Sequence, residues 1–261
     1  MKKGLQDNDG DKKDSSNLVG RKILDSEEAL DHFYLNESAY TIFNKDKIHR
    51  PRNPEIYKAP YVLFKKGLDC ADYSIRAVYT ESDFLYRETI NCIKGSEKDK
   101  KTLLNLCGLL NSSLFSYFNL MLGSSTGIER EQIFLEELGN YPYVYNDELV
   151  ELVEKMQREE WGKNRNELQV ALNQCVMRMY GLQDNYFVDY ALSIQIPMLC
   201  GTYQETKCDA KSMKEYVSIL SKIWDEHFGQ SNVHYKITIY PDIKGKFAAV
   251  QVLSLIHISE P

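Results

Sequence analysis

The sequence has no CxxC pair: its six cysteines stand apart, and the nearest two, Cys200 and Cys208, have no histidine cluster beside them. That excludes a zinc ribbon or a dithiol redox site and fits free thiols in a reducing compartment. No clean membrane span is present either. The best candidate, Leu103 to Met121, is interrupted by Asn105, Asn111, Ser112, Ser113, Ser116 and Asn119, which a bilayer-crossing helix does not tolerate in such density. With no leader peptide in view, the expectation is a cytoplasmic protein without membrane contact. The five histidines are scattered, and no Ser/His/Asp or Cys/His set has local support. Each histidine therefore reads as a surface or satisfied core residue, and no catalytic residue is assigned. Asp7, Asp9 and Asp11 imitate the start of a calcium loop, but Lys12 stands where glycine must turn the chain and Leu18 where the bidentate glutamate belongs. No metal is expected.

Tyrosine is abundant, with 18 residues spread along the chain, and 261 residues are enough for one large or two small domains with a buried core. The formal charge is −6. Its distribution says more than its sum. From Lys45 to Lys101 there are thirteen Lys and Arg against nine Asp and Glu; from Glu131 to Glu160 there are two against nine. A basic segment followed by an acidic one is compatible with a DNA-facing side and equally with a solvated surface.

Residues 1–20 are polar and read as a disordered arm or loop. Ser26 can cap a short helix through Glu27 and Glu28. The stretch Asn44 to Pro60 holds three prolines among Lys45, Lys47, Arg50, Arg52 and Lys58, so it predicts an extended, exposed path. Tyr61–Leu68 and Tyr73–Thr80 are aromatic and β-branched, two strands of a small sheet, and Phe84–Gly95 offers a third. Apolar residues at Leu103, Cys107, Leu110, Leu114, Phe118 and Met121 then mark one long helix ending at Gly123. Further helices are expected from Asp147, from Asn166 to a Gly181 cap, from Asp184 to before Pro197, and from a Ser212 capping box to Gly229. A hairpin across Pro241 to Gly245 closes the pattern. The expected class is α+β: a small mixed sheet packed on a long helix, followed by a helical region and a C-terminal α/β-hairpin unit. The tail 253–261 resembles a translated sequencing adapter. It is expected to be non-native, with the chain cut short before it.

The succession LLNLCGLLNSSLFSYFNLML, SSTGIER and LEELGNYPYV resembles the target-recognition region of N-6 adenine DNA methyltransferases of type I and fused type II restriction–modification and phage-exclusion systems. The resemblance runs from Arg50 to Val144, with KAPYVLFKKGL matching the strand that opens the recognition fold. It implies a fragment divided into 21–145, the recognition domain, and 146–252, a helical and α+β C-terminal region. The implied partners are double-stranded DNA and an N-terminal catalytic methyltransferase domain, with S-adenosylmethionine bound by the parent enzyme and no cofactor in this fragment. Neither a glycine-rich cofactor turn nor the Asn/Asp-Pro-Pro-Tyr/Phe tetrapeptide of the family occurs here, so the fragment alone is expected to be catalytically silent.

Candidate DNA contacts are Arg50, Arg52, Lys58, Lys65, Lys66 and Arg76, whose cations suit phosphates or guanine, and Ser124, Ser125, Thr126 and Arg130 of the loop. A protein–protein adaptor with no nucleic-acid role is the alternative.

Overall fold

The run Tyr-Val-Leu-Phe at 61–64 is apolar without alternation, which suits a strand covered on both faces. That is where it lies in the computed structural model, which describes residues 2–8, 10–25, 27–68, 73–125, 132–158, 164–182, 186–199, 210–228, 234–241 and 248–255. The chain opens with short strands: β1 (Lys2–Lys3), β2 (Lys13–Asp14), β3 (Lys22–Leu24), β4 (Leu30–Asp31), β5 (Tyr34–Leu35), β6 (Tyr40–Ile42) and β7 (Lys47–Ile48). Next come β8 (Tyr61–Lys65), β9 (Ala77–Thr80), β10 (Leu85–Tyr86) and β11 (Ile90–Lys94). Helices follow: α1 (Lys100–Leu110), α2 (Ser113–Leu122), α3 (Leu135–Leu138), α4 (Asp147–Arg158), α5 (Arg165–Met179) and α6 (Tyr186–Leu199). The last elements are α7 (Ala210–Phe228), β12 (His234–Pro241) and β13 (Ala248–Leu255). The class is α+β. No helix among the described residues is long and apolar enough to cross a membrane.

The chain divides into two units, Met1–Tyr203 and Gln204–Pro261. In the first, β8 is central in a four-stranded antiparallel sheet of order β1-β11-β8-β9. Its side chains alternate between two cores. Val62 and Phe64 join Ala77, Leu103, Cys107, Leu110, Leu149 and Leu172 on the helical side. Tyr61 and Leu63 join Leu5, Leu18, Ile23, Val78 and Tyr86 on the other. A boundary at 145/146 would divide the helical core, because α4 and α5 supply as much of it as α1 does. Gly108 lets α4 approach α1 closely: a Cβ there would lie 2.8 Å from Leu149 Cδ1 and Val153 Cγ2.

The second core explains the tyrosines. Tyr57, Tyr61 and Tyr86 pack edge to face, and their hydroxyls donate to the carbonyls of Pro51, Ser82 and Ile56 at 3.0, 2.8 and 3.1 Å. Irregular chain leaves carbonyls unpaired, and a tyrosine can fill the core and satisfy one at the same time.

In its described residues, the segment read as a disordered arm or loop is packed down. Leu5 and Leu18 are fully buried, each contributing about 1.5–3 kcal/mol by leaving water. The arm's backbone is stitched by Gly4 N–H to Ile90 O, Leu5 N–H to Tyr86 O, and a reciprocal pair between Gln6 and Arg50. Glu27–Ala29 forms only a 3-10 turn, and the strands β4 and β5 replace the short helix expected after it; Ser26 lies outside the described residues.

The expected single helix is two. α1 ends at Leu110, and Ser112, in extended conformation, caps α2 by accepting from Phe115 N–H. Asn146 rather than Asp147 caps α4, accepting from Glu148 N–H at 2.7 Å. Gly181, at φ 73, ends α5 as expected, its N–H donating to Arg178 O and that of Leu182 to Met177 O. α6 continues through Pro197 to Leu199, since a proline removes one donor without forcing the helix to end.

In the second unit α7 packs on β12, which pairs antiparallel with β13 from His234↔Leu255 to Pro241↔Ala248. Ser212 lies inside α7 rather than at its cap. Leu253 to Leu255 of the expected non-native tail are paired strand. Asp184, Gly229, the hairpin turn and residues 256–261 lie outside the described residues.

Candidate functional site: a polar cleft at one end of the sheet

The backbone ladder carries most of the candidate cations to one end of the sheet. Lys65 N–H donates to Arg76 O, and Lys65 also faces Ile90. Lys66 N–H donates to Thr89 O and Lys66 O accepts from Ile133 N–H. At the same level beyond β11, Arg52 Nε donates to Gly4 O at 3.1 Å, and Arg50 lies opposite Gln6. Lys65, Lys66 and Arg50 have no acidic side chain within ion-pair distance among the described residues, whereas Arg76 pairs with Asp31 at 2.9 Å. Lys58 stands apart from these. It precedes Tyr61 at the opposite end of β8 and pairs with Glu55 at 2.8 Å.

The serine loop reaches the cationic end but is closed on itself. Ser125 Oγ donates to Gln132 O at 2.8 Å and accepts from Gln132 N–H at 3.1 Å, and Gln132 bridges to Gly67. Ser124 N–H donates to a carboxylate oxygen of Glu137 at 3.2 Å. Both serines therefore hold the loop, and the Ser124 N–H already meets an anion. Thr126 and Arg130 lie outside the described residues.

Beside Arg76 opens a cleft of about 440 Å³. Asp31, His32, Ser74 and Arg76 line it from the sheet side, Asn111, Ser113 and Ser116 from the α1/α2 break, and Arg165, Asn166, Gln169 and Asn173 from α5. Some of these amides are structural. Gln169 donates to Asn111 O at 3.0 Å, and Asn173 Oδ1 accepts from Ser113 N–H at 3.0 Å, joining α5 to the break. Arg165 donates to His32 O, which sets its guanidinium over the cleft wall. Burial pushes the Asp31 carboxyl up, but the His32 backbone N–H and the charges of Arg76 and Arg165 outweigh it and hold Asp31 below the usual carboxylate range.

Asn111 organises the wall. Its Nδ2 donates to Ala77 O at 2.9 Å and Cys107 O at 2.8 Å; its Oδ1 accepts from Ala77 N–H at 3.1 Å. The same Oδ1 lies 2.7 Å from His32 Nδ1, and His32 Nε2 lies 3.0 Å from Ser74 Oγ. Below it the Cys107 thiol, pushed up to about 12 by burial, stays protonated and inert. Reading the sequence brought Arg76 to this place but missed His32, Ser74, Asn111 and Arg165. His32 lies 42 residues from Ser74 and 79 from Asn111, so no local motif announces them. No family model matches the chain, and no curated protein matches it in sequence.

Proposed function

We propose that the chain is the DNA-recognition part of an adenine-specific, S-adenosylmethionine-dependent DNA methyltransferase of a restriction–modification or phage-defence system. It works in the cytoplasm with an N-terminal catalytic domain. The observation that supports this reading is the gathering of Arg50, Arg52, Lys65, Lys66 and Arg76 at one sheet end, beside a cleft lined by Arg165 and Asn166. Lys65 and Lys66, with no ion pair among the described residues, hold phosphates, fixing register. Arg76, Arg165 and the exposed Asn166 are the side-chain types that address base edges. Ser124 and Ser125 shape the loop. The duplex is held so that an adenine can turn out into the partner domain's pocket.

Fluorescence anisotropy with a labelled duplex, titrated with salt, tests this. Binding should fall steeply as salt rises, because each neutralised phosphate releases condensed counterions. Salt-insensitive binding, or none, overturns the reading. The adaptor reading is kept on one observation: Met121, Leu122 and Phe134 are exposed at 51, 66 and 41 % around the serine loop. Capture of a protein partner that is lost on changing Leu122→Ser, with no duplex binding, would favour it.

A further inference from the structure

We propose that Ser74, His32 and Asn111 form a nucleophile–base–orienter relay in the cleft, and that this relay hydrolyses small carboxylic esters bearing a negative charge. The inference does not depend on DNA binding, and it runs against the catalytic silence expected from the sequence.

Asn111 cannot be turned over, because Ala77 N–H donates to its Oδ1 while its Nδ2 donates to Ala77 O and Cys107 O. The oxygen facing His32 Nδ1 at 2.7 Å is therefore an acceptor, and Nδ1 must carry the hydrogen. In the neutral ring that leaves Nε2 as the acceptor, 3.0 Å from the Ser74 hydroxyl. This is the arrangement in which an imidazole takes a proton from a serine while a third group fixes its tautomer. The backbone around it is held in unusual conformations. Phe33, next to His32, and Tyr73, next to Ser74, both sit in the left-handed region, at φ 57 and φ 56. Bulky residues tolerate that region poorly, and such positions gather at functional sites.

The chemistry balances with water as the only co-reactant. Ser74 Oγ adds to the ester carbonyl as its proton passes to His32 Nε2. The bond to the leaving alkoxide breaks as Nε2 returns that proton to the departing oxygen. Water then adds to the acyl-serine, again giving its proton to Nε2, and Ser74 departs with it as the acid is released. Arg76 and Arg165 stand on the cleft walls, and a guanidinium is the side chain that meets a carboxylate with two parallel hydrogen bonds, which suits a substrate carrying one. A volume of about 440 Å³ accepts a small ester.

The test uses the full chain with two probes: a fluorophosphonate, read by mass spectrometry, and the mono-4-nitrophenyl ester of glutaric acid, set against neutral 4-nitrophenyl butyrate. The expected result is an adduct on Ser74 and turnover of the glutarate ester. Ser74→Ala should abolish the adduct, and His32→Gln should slow turnover by about 10²–10⁴-fold with folding unchanged by circular dichroism. Arg165→Ala should raise KM for the glutarate ester more than for the butyrate. Equal turnover by wild type and Ser74→Ala, or adducts only on other serines, overturns the proposal.

Discussion

Strand β8 has lysines at both ends, and the two ends treat them differently. Around Tyr61, Lys58 pairs with Glu55, Lys100 with Glu81, and Lys94 Nζ donates to Glu55 O. Around Lys65, two lysines and Arg50 have no ion pair among the described residues, and Asp7 is already held by Lys45 and Lys12. Burial pushes the Asp7 carboxyl up, yet these two lysines outweigh it and keep the group ionised. A count of basic residues from Lys45 to Lys101 treats these ends as one region. Pairing separates them, because a cation matched at contact distance offers little field to a ligand.

The comparison breaks most visibly at Asn111. Asn111→Ala leaves the Ala77 N–H without its partner, while the Ala77 and Cys107 carbonyls lose one donor each and keep the N–H groups of Phe33 and residue 111. It should cost about 1–3 kcal/mol in urea unfolding at unchanged m-value, the range for one buried polar group left unsatisfied. A loss no larger than that of an exposed substitution would remove Asn111 as the organiser of that end.

Next in size, Lys65→Ala with Lys66→Ala should weaken duplex binding about tenfold at moderate salt and lower the log–log salt slope by about 2. Equal effects from Lys58→Ala would erase the distinction between the ends. A smaller effect concerns pH. The folded-state pKa of Asp31 is depressed, so its contribution is fully present above the unfolded value of about 3.9 and is lost as pH falls below that through the folded value. Thermal melts should show this acid sensitivity reduced in Asp31→Asn. The smallest effect belongs to the other end: Lys58→Ala should leave both melting temperature and DNA affinity unchanged, since its partner Glu55 is exposed.

Much of the framework was legible where pattern and structure share a period. β8, β9 and β11 follow their aromatic and β-branched runs, and α5 stops at Gly181 because only a left-handed residue closes it there. The break between α1 and α2 was not legible, since the apolar spacing from Leu103 to Met121 runs on across it. Asn111 and Ser112 break the helix through bonds to Ala77 and Phe115, which spacing does not reveal. The arm was missed for another reason. Strands of two residues have no periodicity, and the burial of Leu5 and Leu18 depends on β11 and β3 being in place. The site divides in the same way. Arg76 stood out as a cation on a strand, whereas His32 and Ser74 gain meaning only when β4 and the start of β9 are brought together.

The two-residue strand β1 has a consequence for how this molecule meets its neighbours. Without Lys2 and Lys3 across from Cys92 and Asn91, β11 would present a free row of N–H and C=O groups to any extended peptide that drifted past. The arm acts as a stopper for that edge, with lysines that repel further stacking. Clipping it would turn a solitary sheet into one that seeks company.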